Sequence, residues 1–208
     1  MKKPLKNILF DMGNVLFSID YRKTQDAFEA LGYNNFSEMY SQFTADALFE
    51  KLETGRISTE DFYTKLIASH PEKITEQQIT NAWNGMLLHW RMESLDFLKI
   101  LAKKYNLYLL SNTNDIHLAA VNSLLKMETG KDSIDDLFTK AYYSHKINLR
   151  KPNADIFEFI AKDADIDSQE TLFIDDLENN IATAAQLGFK THLLLEGETI
   201  EGLDYEDY

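Results

Sequence analysis

A chain of 208 residues, 44% hydrophobic and 12% aromatic, can bury a sizeable core, which excludes a disordered protein and sets one to two folded units as the range. Its formal charge of -13 repels nucleic acid backbones and anionic lipid surfaces, so neither is expected as a partner. Cysteine is absent, which rules out disulfides, zinc–thiolate clusters and thiol nucleophiles.

The N-terminal stretch MKKPLKNILFDMGNVLF begins like a secretory leader, but Asp11 and Asn14 interrupt the apolar run and no small-residue cleavage site follows. It reads instead as a buried strand, Ile8-Leu9-Phe10, ending at Asp11. Nowhere does an apolar run approach the roughly 18 residues needed to span a bilayer, so a soluble cytoplasmic protein is expected.

From about Ser18 to Leu88 the pattern is helical without intervening strands, and it is rich in aromatics: Phe28, Phe36, Tyr40, Phe43, Phe49, Phe62, Tyr63 and Trp83. These are expected to form the core of a helical insert. Ser58, with Asp61 three positions later, reads as the N-cap of a helix carrying Phe62, Leu66 and Ile67. The division is therefore an α/β core of residues 1–17 and 89–208 with a helical cap over 18–88.

Beyond the insert, helices and strands alternate. Leu95, Leu98 and Ala102 have helical spacing, Leu107 to Leu110 form a strand before Ser111, and Pro152 suits the first turn of a helix that continues through Ile156, Phe159, Ile160 and Ala164. A third strand, Leu172-Phe173-Ile174, ends at Asp175, a helix covers Ala182 to Leu187, and a last strand covers Thr191 to Leu195. The acidic tail after Leu195 has little apolar periodicity and is expected to be mobile or loosely docked. Alternation of this kind predicts a doubly wound parallel sheet covered by helices on both faces.

In such sheets ligands bind beyond the carboxyl ends of the strands, where the loops converge. Asp11, Ser111 and Asp175 all occupy such ends, which makes three scattered residues one candidate site. Asp175 and Asp176 are adjacent acidic groups whose like charges call for a cation between them, and a hard divalent metal would supply it. None of the five histidines has ligand spacing, and none is assigned a role.

Four segments then carry a resemblance: Asp11-Met12-Gly13-Asn14-Val15-Leu16, Leu110-Ser111-Asn112-Thr113, Arg150-Lys151-Pro152, and Phe173-Ile174-Asp175-Asp176-Leu177-Glu178-Asn179-Asn180. In order and strand-end placement the chain resembles the haloacid dehalogenase superfamily, specifically members with a helical cap inserted after the first motif. Its DMGNVLFSID and ETGRIS stretches look closest to the bacterial group that includes alpha-glucose-1-phosphate phosphatase. That resemblance implies a Rossmann-like core and a Mg²⁺-dependent phosphatase acting on a small-molecule phosphate ester such as a sugar phosphate.

By the same resemblance Asp11 is the nucleophile that becomes an aspartyl phosphate, and Asp11, the Gly13 carbonyl, Asp175 and Asp176 hold Mg²⁺ with waters and phosphate. Ser111 and the N–H groups of Met12 and Asn112 hold phosphate oxygens, while Lys151 balances the charge of Asp11 and the phosphoryl group. Arg150 is expected to be solvated or to face the cap. Asn180 either orients the metal-binding loop or sits on a plain helix surface.

One position departs from the family. Phosphatases of this group usually carry a second Asp two residues after the nucleophile as general acid and base, and here that residue is Gly13. The turn survives because Gly13 and Asn14 both tolerate positive φ. Proton transfer is typically worth about 10² to 10⁴ in rate, and Asp20 at the start of the cap, or a metal-positioned water, is the candidate replacement. Two alternatives compete: a metal-independent 2-haloacid dehalogenase, disfavoured by the unpaired acidic neighbours, and a non-catalytic phosphate-binding protein, disfavoured by the retained Asp11.

Overall fold

The computed structural model describes residues 3–40 and 45–208. In chain order its elements are β1 (Asn7–Phe10), β2 (Phe17–Ile19), α1 (Tyr21–Leu31), α2 (Phe36–Met39), α3 (Ala47–Glu53), α4 (Thr59–Ser69), α5 (Glu76–Trp83), β3 (Leu87–Trp90) and α6 (Met92–Leu101). There follow β4 (Asn106–Ser111), α7 (Asp115–Thr129), β5 (Lys140–Tyr143), α8 (Ser144–Ile147), α9 (Ala154–Asp163), β6 (Thr171–Asp175), α10 (Glu178–Gln186) and β7 (Lys190–Leu193).

Five strands form a parallel sheet in the order β5-β4-β1-β6-β7. The central strands are apolar at consecutive positions because both faces are covered. Ile8, Phe10, Leu107, Leu109, Leu172 and Ile174 turn to one side, where they pack with Leu95 and Leu98 of α6 and Val121 and Leu125 of α7. Leu9, Tyr108, Leu110 and Phe173 turn to the other, against Ile156, Phe157 and Ile160 of α9 and Ala184 of α10. This is the doubly wound α/β arrangement expected from the alternation of strands and helices.

Several boundaries differ from the sequence reading. The helix after Lys151 starts at Ala154, with Lys151 and Pro152 in the turn before it, because the Asn112 side chain holds the Lys151 backbone by donating to its carbonyl and accepting from its N–H. Within α9, Phe157 takes the inner position, and Phe159 is partly exposed. The last strand begins at Lys190 and stops at Leu193, leaving Leu195 exposed. The acidic tail is docked: Ile200 and Tyr205 are buried, the Tyr205 hydroxyl donates to the Ile200 carbonyl, and the Tyr205 ring lies 6.2 Å from both Phe97 and Tyr105.

Helices α1 to α5 lie between β2 and β3, which pair antiparallel, Phe17 with Trp90 and Ile19 with Leu87. The boundaries expected near residues 18 and 88 fall inside this ribbon. A second cluster fills the insert: Phe28, Phe36, Tyr40, Phe49, Phe62, Tyr63 and Trp83 are all buried together, with Phe28 and Phe36 stacked 4.1 Å apart. Each fully buried aromatic of this kind contributes about 1.5–3 kcal/mol. Phe43 lies outside the described residues. Ser58 caps α4 as expected, its hydroxyl accepting from the Asp61 N–H.

The insert is seated on the core through the loop after α3. The Asn148 amide donates to the Thr54 carbonyl at 2.7 Å, and the Ser144 hydroxyl donates to the Glu53 carbonyl. Gly55 sits between them with φ +62, and a Cβ there would collide with the His145 carbonyl oxygen. Only glycine combines this left-handed backbone with so close an approach.

Candidate active site

Asp11 follows β1 directly, and its N–H donates to the Ile174 carbonyl of β6 at 2.9 Å. The parallel pairing of β1 with β6 therefore brings Asp11 alongside Asp175, and Asp176 is the next residue. Oxygens of Asp11, Asp175 and Asp176 all lie within 4.8 Å of one another. Lys151 reaches this group from the turn before α9, its ammonium 2.6 Å from Asp11 Oδ1 and 2.6 Å from Asp175 Oδ2.

Other groups hold the carboxylates in place. Asp175 accepts from the Leu177 N–H at 2.8 Å and from the Asn180 amide at 2.9 and 3.0 Å. Asn180 is buried, so of its two sequence readings the structure supports the one facing the acidic loop. Asn14 donates to Asp176 Oδ2 at 3.0 Å and accepts from the Ile19 N–H, with its backbone at φ 52. The positive φ of the turn falls on Asn14 alone, and Gly13 is not in that region. At Gly13 a Cβ would come 3.0 Å from Ile19 Cδ1.

Electrostatics set this cluster apart. Burial pushes the Asp11 carboxyl up to about 7, with the pull of Lys151 offset in part by the neighbouring charges of Asp175 and Asp176. Burial and then Asp175 likewise raise Asp176. Burial alone would lower the Lys151 ammonium, yet the carboxylates of Asp11 and Asp175 raise it. Three carboxylates thus crowd around one ammonium, with Asp11, Asp175 and Lys151 themselves buried. Such a set is completed by a divalent cation, and its all-oxygen donors match a hard ion such as Mg²⁺ rather than a thiophilic one.

A cavity of about 530 Å³ opens over this group, and Asp11, Met12, Gly13, Ser111, Asn112, Lys151 and Asp176 line it. Ser111 is the last residue of β4 and is buried, with Asn112 beside it. Asp175 lies behind the wall, fully buried, as the partner of Lys151. Asp20 does not join the group. Its carboxylate caps α1, accepting from the Arg22 N–H at 3.0 Å and pairing with the Arg22 guanidinium at 3.2 Å, which holds its carboxyl below the usual range.

The far wall of the cavity was not legible as a unit in the sequence. Tyr21, Tyr40 and Glu53 from the insert meet Arg150 from the core there. Arg150 pairs with Glu53 at 2.9 Å, so it faces the insert. Glu53 was missed because its partners lie 13 and 97 positions away and it resembles any helix-end acid.

The family of haloacid dehalogenase-like hydrolases matches residues 5–188. The chain is 34% identical over 187 residues, 90% of each chain, to D-ribitol-5-phosphate phosphatase of Bacteroides thetaiotaomicron. It is 28% identical over 189 residues, 88% of this chain and 86% of the other, to sesquiterpene phosphatase astK of Aspergillus oryzae. The crystal structure of HAD family enzyme bt-2542 from Bacteroides thetaiotaomicron, in complex with magnesium and inorganic phosphate, is similar with a TM-score of 0.81 at 34% identity, over 93% of this chain and 96% of that one.

Proposed function

Because this chain belongs to the haloacid dehalogenase-like hydrolases, we propose that it is a Mg²⁺-dependent phosphatase that hydrolyses a small phosphate monoester, a sugar or polyol phosphate, through an aspartyl phosphate on Asp11. The observation that carries this reading is the meeting of Asp11, Asp175 and Asp176 within 4.8 Å, beside an ammonium that bonds two of them. The relatives that act on phosphate esters, and the magnesium and phosphate bound by a similar enzyme, support it.

The carboxylates of Asp11 and Asp176, the Gly13 carbonyl and, directly or through water, Asp175 would hold the metal. When bound, the ion neutralises the phosphoryl oxygens and the carboxylates together, which makes approach of an anionic nucleophile to an anionic ester affordable.

The chain's own groups do the rest. Lys151 fixes Asp11 by one oxygen and offsets its charge. Asp11 attacks phosphorus, the new O–P bond forms as the ester P–O bond breaks, and the alcohol departs. Water then cleaves the aspartyl phosphate, releasing inorganic phosphate and restoring Asp11. Ser111 and the N–H groups of Met12 and Asn112 would donate hydrogen bonds to the phosphoryl oxygens. With Gly13 in the position of the usual acid, and Asp20 engaged with Arg22, the leaving alkoxide draws its proton from water in the cavity. The insert would form one wall of it, through Tyr21, Tyr40 and Glu53.

Phosphate release from p-nitrophenyl phosphate tests the reading. Activity with Mg²⁺, its loss in EDTA, and a fall of at least about 10³ in kcat for Asp11→Asn are expected. Chloride release from 2-chloropropionate in EDTA would overturn it in favour of halide displacement.

A further inference from the structure

Asn14 stands between the acidic cluster and the ribbon that carries the insert, and the chemistry at phosphorus gives it no part. Its side-chain amide makes two bonds in opposite directions. Nδ2 donates to Asp176 Oδ2 at 3.0 Å, and Oδ1 accepts from the Ile19 N–H of β2 at 3.1 Å. This orientation of the amide is fixed by its partners, since a carboxylate only accepts and a backbone N–H only donates. The Asn14 backbone joins the same strand at its other end, its N–H donating to the Phe17 carbonyl at 2.7 Å.

The amide group is planar and rigid, so a turn of the side chain breaks both bonds together, and whatever fixes Asp176 also fixes Ile19. Asp176 stands beside the like charge of Asp175, and a divalent cation that draws the acidic groups together would give its carboxylate one place. Ile19 is where the pairing of β2 with β3 shifts register, so the ladder there is disrupted and an acceptor from outside it has most effect. Just beyond, the Asp20 N–H donates to the Met86 carbonyl at 2.9 Å and α1 begins at Tyr21. The turn itself does not demand the amide. Glycine adopts a φ of 52 without strain, and asparagine at that φ adds a side chain that glycine lacks.

We propose that Asn14 is a positioning residue that couples the divalent cation to the ribbon on which the insert is hung: an ion held by Asp176 locks the amide, and the amide locks Ile19. Coupling of this kind is reciprocal, so removing the amide weakens the hold on the ion, just as removing the ion loosens the ribbon. The inference rests on the metal site of the phosphatase reading and is measured without turnover.

The probe is Mg²⁺ alone. In the wild-type protein Mg²⁺ should slow hydrogen exchange of the Ile19 amide, followed by NMR, on the order of 10-fold, and leave the Asp61 amide in the first turn of α4 unchanged. Asn14→Gly keeps the left-handed turn and removes only the side chain. It should raise the Mg²⁺ concentration that gives half of the rise in Tm by about 10-fold or more, the usual effect of removing a group that orients a metal ligand. Its Ile19 amide should exchange at one rate with and without Mg²⁺. Equal Mg²⁺ midpoints in the two proteins would overturn the inference. So would a wild-type Ile19 amide indifferent to Mg²⁺ while Tm responds, or equal slowing of Ile19 and Asp61, which marks a global effect; these wild-type outcomes decide even where the variant does not fold. A wild-type protein whose Tm and exchange both ignore Mg²⁺ would overturn the metal site of the phosphatase reading, and this inference with it.

Discussion

The Lys151 ammonium stands 2.6 Å from Asp175 Oδ2 at a point where neither side chain reaches solvent, 1% and 0% exposed. Removing one member of a buried pair costs more than the pair is worth, because the other is left charged and alone. Here the remaining members are two carboxylates, Asp175 and Asp11. Lys151→Met should lose about 3–5 kcal/mol of unfolding free energy at pH 8, measured in urea. Its phosphatase rate should fall by about 10² or more. Arginine should not restore either property, since a planar fork cannot replace a point charge that bonds two carboxylates at once. A loss below about 1 kcal/mol would count against the buried-pair account.

Magnesium should stabilise the protein through the acidic cluster. A ligand that binds only the folded state at about 100 times its Kd adds roughly 2.7 kcal/mol. For a chain of this size that is a rise in Tm on the order of 5–10 °C. Thermal unfolding with Mg²⁺ and with EDTA should show the shift and its reversal. Asp176→Asn removes one donor oxygen's charge and should shrink the shift to a fraction of the wild-type value. The same shift in both proteins would remove Asp176 from the ligand set.

His117 makes stability depend on pH. Its ring is buried against Trp83, with centroids 4.5 Å apart, Nε2 donates to the Trp83 carbonyl at 3.1 Å, and Nδ1 faces the Asn114 amide. That arrangement suits the neutral ring, and burial lowers its pKa from 6.5 to about 4. Between these values the unfolded chain binds the proton and the folded one does not. The stabilisation is therefore complete above pH 6.5 and is lost as pH falls toward 4, amounting to about 3 kcal/mol. His117→Asn should be less stable than wild type at pH 7 and should lose less on acidification to pH 4.5. Parallel pH profiles for the two proteins would refute this.

What the sequence revealed tracks how local the determining forces are. Strands β1, β4 and β6 were legible because burial on both faces demands unbroken apolar runs. Strand β5, with sequence KAYY, lies at the edge of the sheet and carries no such run, so it was missed. Strands β2 and β3 are three and four residues long and exist only through pairing with each other across the whole insert. The tail was read as loose because two buried side chains, Ile200 and Tyr205, do the docking among acidic neighbours.

At the site, Asp11, Ser111, Lys151 and the acidic pair were legible from strand-end position and motif order. Asp20 was misread because a carboxylate at the start of a helix has a nearer use, capping the helix and pairing with Arg22. Its neighbour Tyr21 takes the cavity wall instead. The Glu53–Arg150 pair could not be read from either residue alone, since each looks like an ordinary surface charge until the insert is set on the core.

The β2–β3 ribbon has a consequence for how such proteins diversify. The chain departs for α1 and returns from α5 through neighbouring strands, about 5 Å apart. A segment whose two junctions touch can be lengthened, trimmed or exchanged without rethreading the sheet. Selection can therefore redraw the surface that greets the alcohol while the carboxylates on the sheet stay as they are, and one ancestral reaction can be distributed over many metabolites.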